Sequence, residues 1–250
     1  MRCFLIVIFI TKLSLTFSQT GPRDVTFNVN GSGASSVITS TYVENDGDII
    51  IGGWFEQYNG QGANKIARLE PDGSLDPSFV VQTSRLLDQV SVVAPGDQDK
   101  VIVGFTATTN VLIRFNADGS EDSDFGSNIG TGPDNSVFTI VTQPDGKILI
   151  GGAFSAFNAQ PLKYLVRLNE DGTVDHAFTH TLTFAVRSIV LFPNGDMILG
   201  GSDNAGNILA KVHSDGTEDE SFAPGTFLNG DNESAIMSMI SQPGGKTLIG

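Results

Sequence analysis

The chain has 250 residues, with 14 basic side chains against 28 acidic, 29 glycines and a single cysteine. Its net charge of −14 argues against nucleic acid or an anionic membrane surface as partner, because both repel an acidic protein. One cysteine cannot form an internal disulfide, so packing alone must hold the fold, and the length suffices for one mid-sized, turn-rich domain.

Residues 1–18 read as a secretory signal: Met1-Arg2, an apolar run from Cys3 to Ile10, a second from Leu13 to Phe17, and small residues Thr16 and Ser18 before a cut near Gln19. Lys12 interrupts an apolar stretch already short of the roughly 20 residues a membrane span needs. The expectation is a secreted or cell-surface protein with no transmembrane span in the mature chain, whose remaining residues, 19–250, form one repeat domain.

That domain repeats a short strand closed by glycine: DGDIIIGG from Asp46, DQDKVIVGF from Asp97, DGKILIGG from Asp145, NGDMILGG from Asn194 and GGKTLIG from Gly244. The first glycines, Gly52, Gly104, Gly151, Gly200 and Gly250, recur about every 50 residues. A second element keeps the same beat, as ARLEPDGSLDPSF from Ala67, IRFNADGSEDSDF from Ile113, VRLNEDGTVDHAF from Val166 and AKVHSDGTEDESF from Ala210. It closes on Phe79, Phe125, Phe178 and Phe222, and Asp24 to Phe27 resembles its tail. A further strand is expected around Val37, Val90, Val137, Val186 and Ile236.

The units run over residues 28–79, 80–125, 126–178 and 179–222, with a partial fifth over 223–250. A sheet of three or four strands cannot bury both faces alone, so the pattern predicts an all-β fold in which such sheets stack radially, a β-propeller. A β-sandwich or an open solenoid is the alternative. Runs such as Ile49-Ile50-Ile51 suit strands covered on both faces. Four units and a part are few for a closed ring, so an incomplete or open array, or a fragment of a longer protein, is expected. Links are long in units one and three, Phe55 to Lys65 and Phe154 to Lys163. They are short in units two and four, Thr106 to Asn110 and Asp203 to Asn207.

The string Q-P-D-G-K-I-L-I-G-G-x-F, then a Tyr/Phe-Asn pair, then V-R-L-N-x-D-G-T-x-D-x-x-F resembles the delta-60 repeat of bacterial secreted and surface proteins. Phe55, Tyr58 and Asn59 in unit one match Phe154, Phe157 and Asn158 in unit three. Units two and four depart, with one glycine at Gly104 and Asp203 where Phe154 would stand. The resemblance implies a propeller-type array in an exported protein and no catalytic residues. Kelch repeats share the double glycine, but their downstream aromatics do not recur here and Trp54 is the sole tryptophan.

Candidate residues fall into three groups. Asp72, Asp118, Asp171 and Asp215 are expected to cap Asp-Gly turns. Arg68, Arg114, Arg167 and Lys211 either form a ring of anion-binding groups or, as the favoured reading, pair with Asp76, Asp122, Asp175 and Asp219 as a staple between strands. Trp54, Phe55, Tyr58, Phe154 and Phe157 either form a ligand-facing platform for sugar rings or fill the core between sheets. No catalytic residue, cofactor or EF-type calcium loop is expected, since Arg167 stands where the first ligand of such a loop belongs; the acidic surface leaves room for weak calcium binding. His176 reads as surface variation, since Pro77, Ser123 and Glu220 fill its slot in the other units, and His176 with His180 is not expected to form a metal pair; Asn30-Gly31-Ser32 and Asn232-Glu233-Ser234 fit the glycosylation pattern. The expected function is a non-catalytic module for adhesion, glycan binding or scaffolding, with an extracellular glycan or protein as partner. The rival is a polysaccharide hydrolase or lyase with carboxylates at the mouth of the array.

Overall fold

A computed structural model describes residues 26–83, 89–106, 111–203, 206–224, 236–242 and 246–250. The expected leader, the first residues of the Asp24 to Phe27 tail, nearly all of the unit-two link and the Asn232 pattern lie outside them. Each unit folds as a small antiparallel sheet. The first holds β1 (Ile38–Val43), β2 (Ile49–Gly53) and β5 (Ile66–Leu69), with a two-residue hairpin, β3 (Gln57–Tyr58) and β4 (Gln61–Gly62), inside its link. The second holds β6 (Gln89–Pro95), β7 (Val101–Thr106) and β8 (Leu112–Phe115). The third holds β9 (Val137–Thr142), β10 (Ile148–Gly152) and β11 (Leu165–Leu168). The fourth holds β12 (Ala185–Leu191), β13 (Met197–Asp203) and β14 (Gly206–Val212), and a last pair joins β15 (Met239–Gln242) to β16 (Lys246–Ile249).

Local chemistry sets these boundaries. In the turns joining first to second strand, and second element to closing segment, glycine adopts positive φ, as at Gly146 (82°) and Gly172 (92°), where a side chain would be strained. The Asp before it accepts the amide two residues on: Ser74 N–H donates to Asp72 at 2.8 Å, and Ser120, Thr173 and Thr217 N–H donate to Asp118, Asp171 and Asp215 at 2.9 Å each. Among the described residues one element interrupts the all-β pattern. In unit two the closing segment winds into a short helix, α1 (Ser123–Ile129), because Asp122 caps its first turn by accepting from Phe125 N–H at 3.1 Å. Among the described residues no helix is long and apolar enough to cross a membrane.

The sheets are consecutive blades whose first strands lie side by side, β1 against β6, β6 against β9, β9 against β12 and β12 against β15. Hydrogen bonds cross between them. Thr39 Oγ1 donates to Val90 O at 2.7 Å, Ser91 Oγ to Val137 O at 2.5 Å, and Met239 N–H to Ser188 Oγ at 3.0 Å.

The repeated first glycine is the hole into which the next blade fits. A Cβ at Gly52 would stand 2.6 Å from Val90 Cγ1, at Gly104 2.7 Å from Val137 Cγ1, at Gly151 2.8 Å from Val186 Cγ1, and at Gly200 2.7 Å from Ile236 Cγ2. Every knob is a β-branched residue from the first-strand segment of the following unit, and all four are buried. By the strand register the equivalent residue of unit one is Ile38 rather than Val37. The second glycine serves its own blade: at Gly53, Gly152 and Gly201 a Cβ would lie 2.1, 2.2 and 1.9 Å from the carbonyl oxygens of Val37, Ser136 and Ala185, where the first strand bulges. Unit two lacks this glycine, and Phe105 in its place is buried against Phe79 and Ile66 of blade one.

Gly151→Ala is expected to destabilise the protein by about 1–3 kcal/mol, because the new methyl meets Thr139 and Val186 in a packed interface. Urea unfolding followed by circular dichroism measures it.

Candidate functional site

The most regular chemistry is the charged pair of each second element. Arg68 Nε donates to Asp76 Oδ2 at 2.5 Å, Arg114 Nε to Asp122 Oδ2 at 2.9 Å, Arg167 Nε to Asp175 Oδ2 at 2.8 Å, and Lys211 Nζ to Asp219 Oδ2 at 2.8 Å. The guanidinium of each Arg also covers the Phe that closes its unit, at 5.2 Å from the Phe79 ring centre, 4.1 Å from Phe125 and 4.5 Å from Phe178. Sequence reasoning missed this stacking, although the fixed offset from Arg to closing Phe in units one to three was its signal. Arg114 and Arg167 reach further, donating from Nη1 to Glu170 O and Ser214 O of the next unit, both at 2.6 Å. The cation is thus held by a carboxylate, a ring and a neighbouring backbone at once, which leaves it little capacity to bind an outside anion.

Burial by itself would raise the Asp122 carboxyl, but the Phe125 amide, Lys100 and Arg114 together hold it down at about 2. Lys211 and Ser221 likewise depress Asp219 to about 2.

Unit one inverts the local charge. Where Lys100 and Lys147 add a second cation to their Asp at 3.1 and 2.6 Å, unit one carries Asp48, 3.7 Å from Arg68. Glu44, Asp46 and Asp48 each offer a carboxylate oxygen within 4.8 Å of the others, the described group best suited to a cation. Burial lifts Glu44 to about 7, with Asp46, Asp99 and Asp48 pushing the same way against the pull of Arg68. The signal was visible as D-G-D in unit one against D-G-K in unit three.

Of the two readings of the aromatic candidates, a ligand-facing platform or core between sheets, four of the five residues take the second. Phe55, Tyr58, Phe154 and Phe157 are buried, Phe154 and Phe157 between blades two and three, and Phe55 and Tyr58 on the first blade. They cannot form a sugar platform, because the links fold inward over sheet faces that would otherwise meet water. Trp54 alone of the five stays open, at 45 % exposure. The Asn that follows each pair is a strut: Asn59 Oδ1 accepts from Gly33 N–H at 2.8 Å and Asn158 Oδ1 from Gly132 N–H at 3.0 Å.

Two clefts remain. One, of about 380 Å³, is lined by Thr26, Asn28, Val29, Asn30, Asn59, Asp72 and Ser74, so amide, hydroxyl and carboxylate groups share it with apolar surface. The other, of about 300 Å³, runs between Lys163, Arg167, His176 and His180. Burial lowers the His180 pKa, and its Nε2 lies 2.7 Å from Leu165 O.

The sequence profile of one family matches residues 44–79, 99–125 and 143–178, and that family is described as a "Domain of unknown function (DUF5122) beta-propeller". Three repeat segments of the chain match that family. Each DUF5122 match ends on a closing Phe, at Phe79, Phe125 and Phe178, so the profile captures the glycine hole and the staple together. No curated protein matches the sequence.

Solved structures share the fold at low identity. Virginiamycin B lyase from Staphylococcus aureus is similar at 15 % identity and a TM-score of 0.56, over 85 % of this chain and 62 % of the lyase. The extracellular domain of BT4673 from B. thetaiotaomicron is similar at 14 % and 0.54, over 86 % of this chain and 25 % of that one. PorZ, a surface component of the type-IX secretion system of Porphyromonas gingivalis, is similar at 11 % and 0.51, over 83 % and 30 %. The chain therefore spans less than two thirds of each of these proteins.

Three outcomes test the electrostatics. Arg167→Met is expected to cost about 1–3 kcal/mol by leaving buried Asp175 with the Ala177 amide and Lys147, one cation instead of two, read by urea unfolding at pH 7. The depressed Asp122 contributes stability above the unfolded carboxyl value that is lost as pH falls from about 4 through about 2, on the order of 2 kcal/mol in all. Glu44 has the opposite sign. Its raised pKa makes the folded state lose stability as pH climbs from about 4.3 to about 7, so Glu44→Gln should flatten that slope and melt higher than wild type at pH 8.

Proposed function

We propose that the protein is an exported, non-catalytic module that binds extracellular glycan through loops at the edges of its blades. One observation carries the reading: the charged and aromatic residues that recur with the repeat are already engaged within the fold, as staples and as interblade packing. What the repeat leaves free to vary is the links and the turn edges. The cleft around Asn28, Asn30 and Ser74 lies there, and its amides and hydroxyls are groups that hydrogen-bond sugar hydroxyls. The exported setting is supported by the apolar leader-like start, residues 1–18, and agrees with the surface location of PorZ and the extracellular BT4673 domain.

A second reading, cleavage of a polysaccharide, is favoured by the Glu44 carboxyl near neutrality beside Asp46 and Asp48.

A glycan panel incubated with the purified chain separates the two. Binding reads as retained glycan of unchanged mass, weakened about tenfold or more by Asn30→Gly with Ser74→Ala, since Asn30 has a positive φ that glycine tolerates. New reducing or unsaturated products that vanish in Glu44→Gln establish cleavage instead. A panel with neither retention nor product contradicts both.

A further inference from the structure

At the bulge of each first strand one residue stands outside the strand register: Thr39, Ser91, Phe138 and Arg187 in units one to four. First strands are the ones that meet from blade to blade, so these residues lie along the inner side of the array. In units one and two the residue is a hydroxyl that ties the joint, Thr39 Oγ1 donating to Val90 O at 2.7 Å and Ser91 Oγ to Val137 O at 2.5 Å. Phe138 has no donor to do the same. The Arg187 guanidinium lies over the Phe138 ring instead, 4.5 Å from its centre, and its buried Nε has no hydrogen-bond partner. Arg68, Arg114 and Arg167 each hold an aspartate. Among the described residues Arg187 pairs with no carboxylate, and it is the one charged side chain on the first strands.

An arginine keeps its charge at any working pH, so a half-buried guanidinium without a carboxylate calls for an anion. Phe138 covers one face of it, and the N–H groups point outward in its plane, the direction from which a planar carboxylate is received. We propose that Arg187 and Phe138 form a subsite for the carboxylate of a hexuronate unit in an acidic glycan. The subsite rests on the glycan-binding reading and adds to it a sugar class and a contact on blades three and four. The terminal Nη groups donate to the carboxylate, and the half-buried Phe138 ring offers a surface to the apolar C–H face of the pyranose. The chain's net charge of −14 repels a polyanion at long range, so this contact rather than a general field holds the uronate.

The experiment is titration calorimetry of the purified chain at pH 7 with three probes: oligogalacturonate, its methyl ester, which keeps the ring and loses the charge, and a sulfated neutral oligosaccharide of like length. Wild type should bind the free acid at least about tenfold tighter than the ester and the sulfated sugar. Arg187→Gln should bring the acid down to the level of the ester, with ester affinity and melting temperature unchanged, and Arg187→Lys should recover only part of the preference because it lacks the planar fork. Acid and ester bound equally by wild type overturn the subsite and leave the glycan reading standing. A preference that survives Arg187→Gln, a variant that loses acid and ester alike, or a sulfated sugar bound as tightly as the acid also overturns it. A chain that binds none of the three contradicts the subsite as well, and the glycan panel then decides whether the broader reading falls with it.

Discussion

The fold depends on a missing methyl. At Gly52, Gly104, Gly151 and Gly200 the second strand of a blade presents no side chain, and an aliphatic knob of the next blade stands closer than any Cβ could permit. Blades this small have two apolar faces and too few residues to cover either, so their stability is shared between neighbours. The glycine sets how near the first strands approach, and that distance lets Thr39 and Ser91 reach backbone carbonyls of the following unit. Packing and hydrogen bonding are therefore satisfied by one geometry.

The staple works at the opposite edge of the blade. Arg68, Arg114 and Arg167 each link a strand to its closing segment while lying over the ring that plugs the next interface. In units two and three a lysine shares the carboxylate, and in unit one Asp48 takes the lysine's place beside Glu44 and Asp46. The same scaffold thus carries a neutralised edge in the middle of the array and an acidic one at its start. Chemical individuality in this protein comes from substitutions at a few edge positions of a repeat whose interior hardly changes.

Much of this was legible in the sequence because repeats speak for one another. The period, the Asp-Gly turns and the three strands of each unit follow from local chemistry that recurs at fixed offsets. The partner of each glycine was less legible, since Gly151 and Val186 are far apart in the chain and only the stacking brings them together. The link aromatics show the limit of reading residue type alone: Phe55 and Phe154 open their links and fold inward, while Trp54, next to Phe55 in the chain, stays at the surface. Helix α1 was hidden for a related reason, because Asp122 serves as staple partner and helix cap together.

The account stands or falls on the coupling between hole and knob, which a double-mutant cycle on Gly104 and Val137 measures directly. Val137 Cγ1 lies 2.7 Å from where the Gly104 Cβ would be, so Gly104→Ala should cost far less once Val137→Ala has removed that methyl. The predicted coupling is about 1 kcal/mol or more by chemical denaturation. Strict additivity of the two substitutions would contradict the claim that the glycine exists to admit the neighbouring blade.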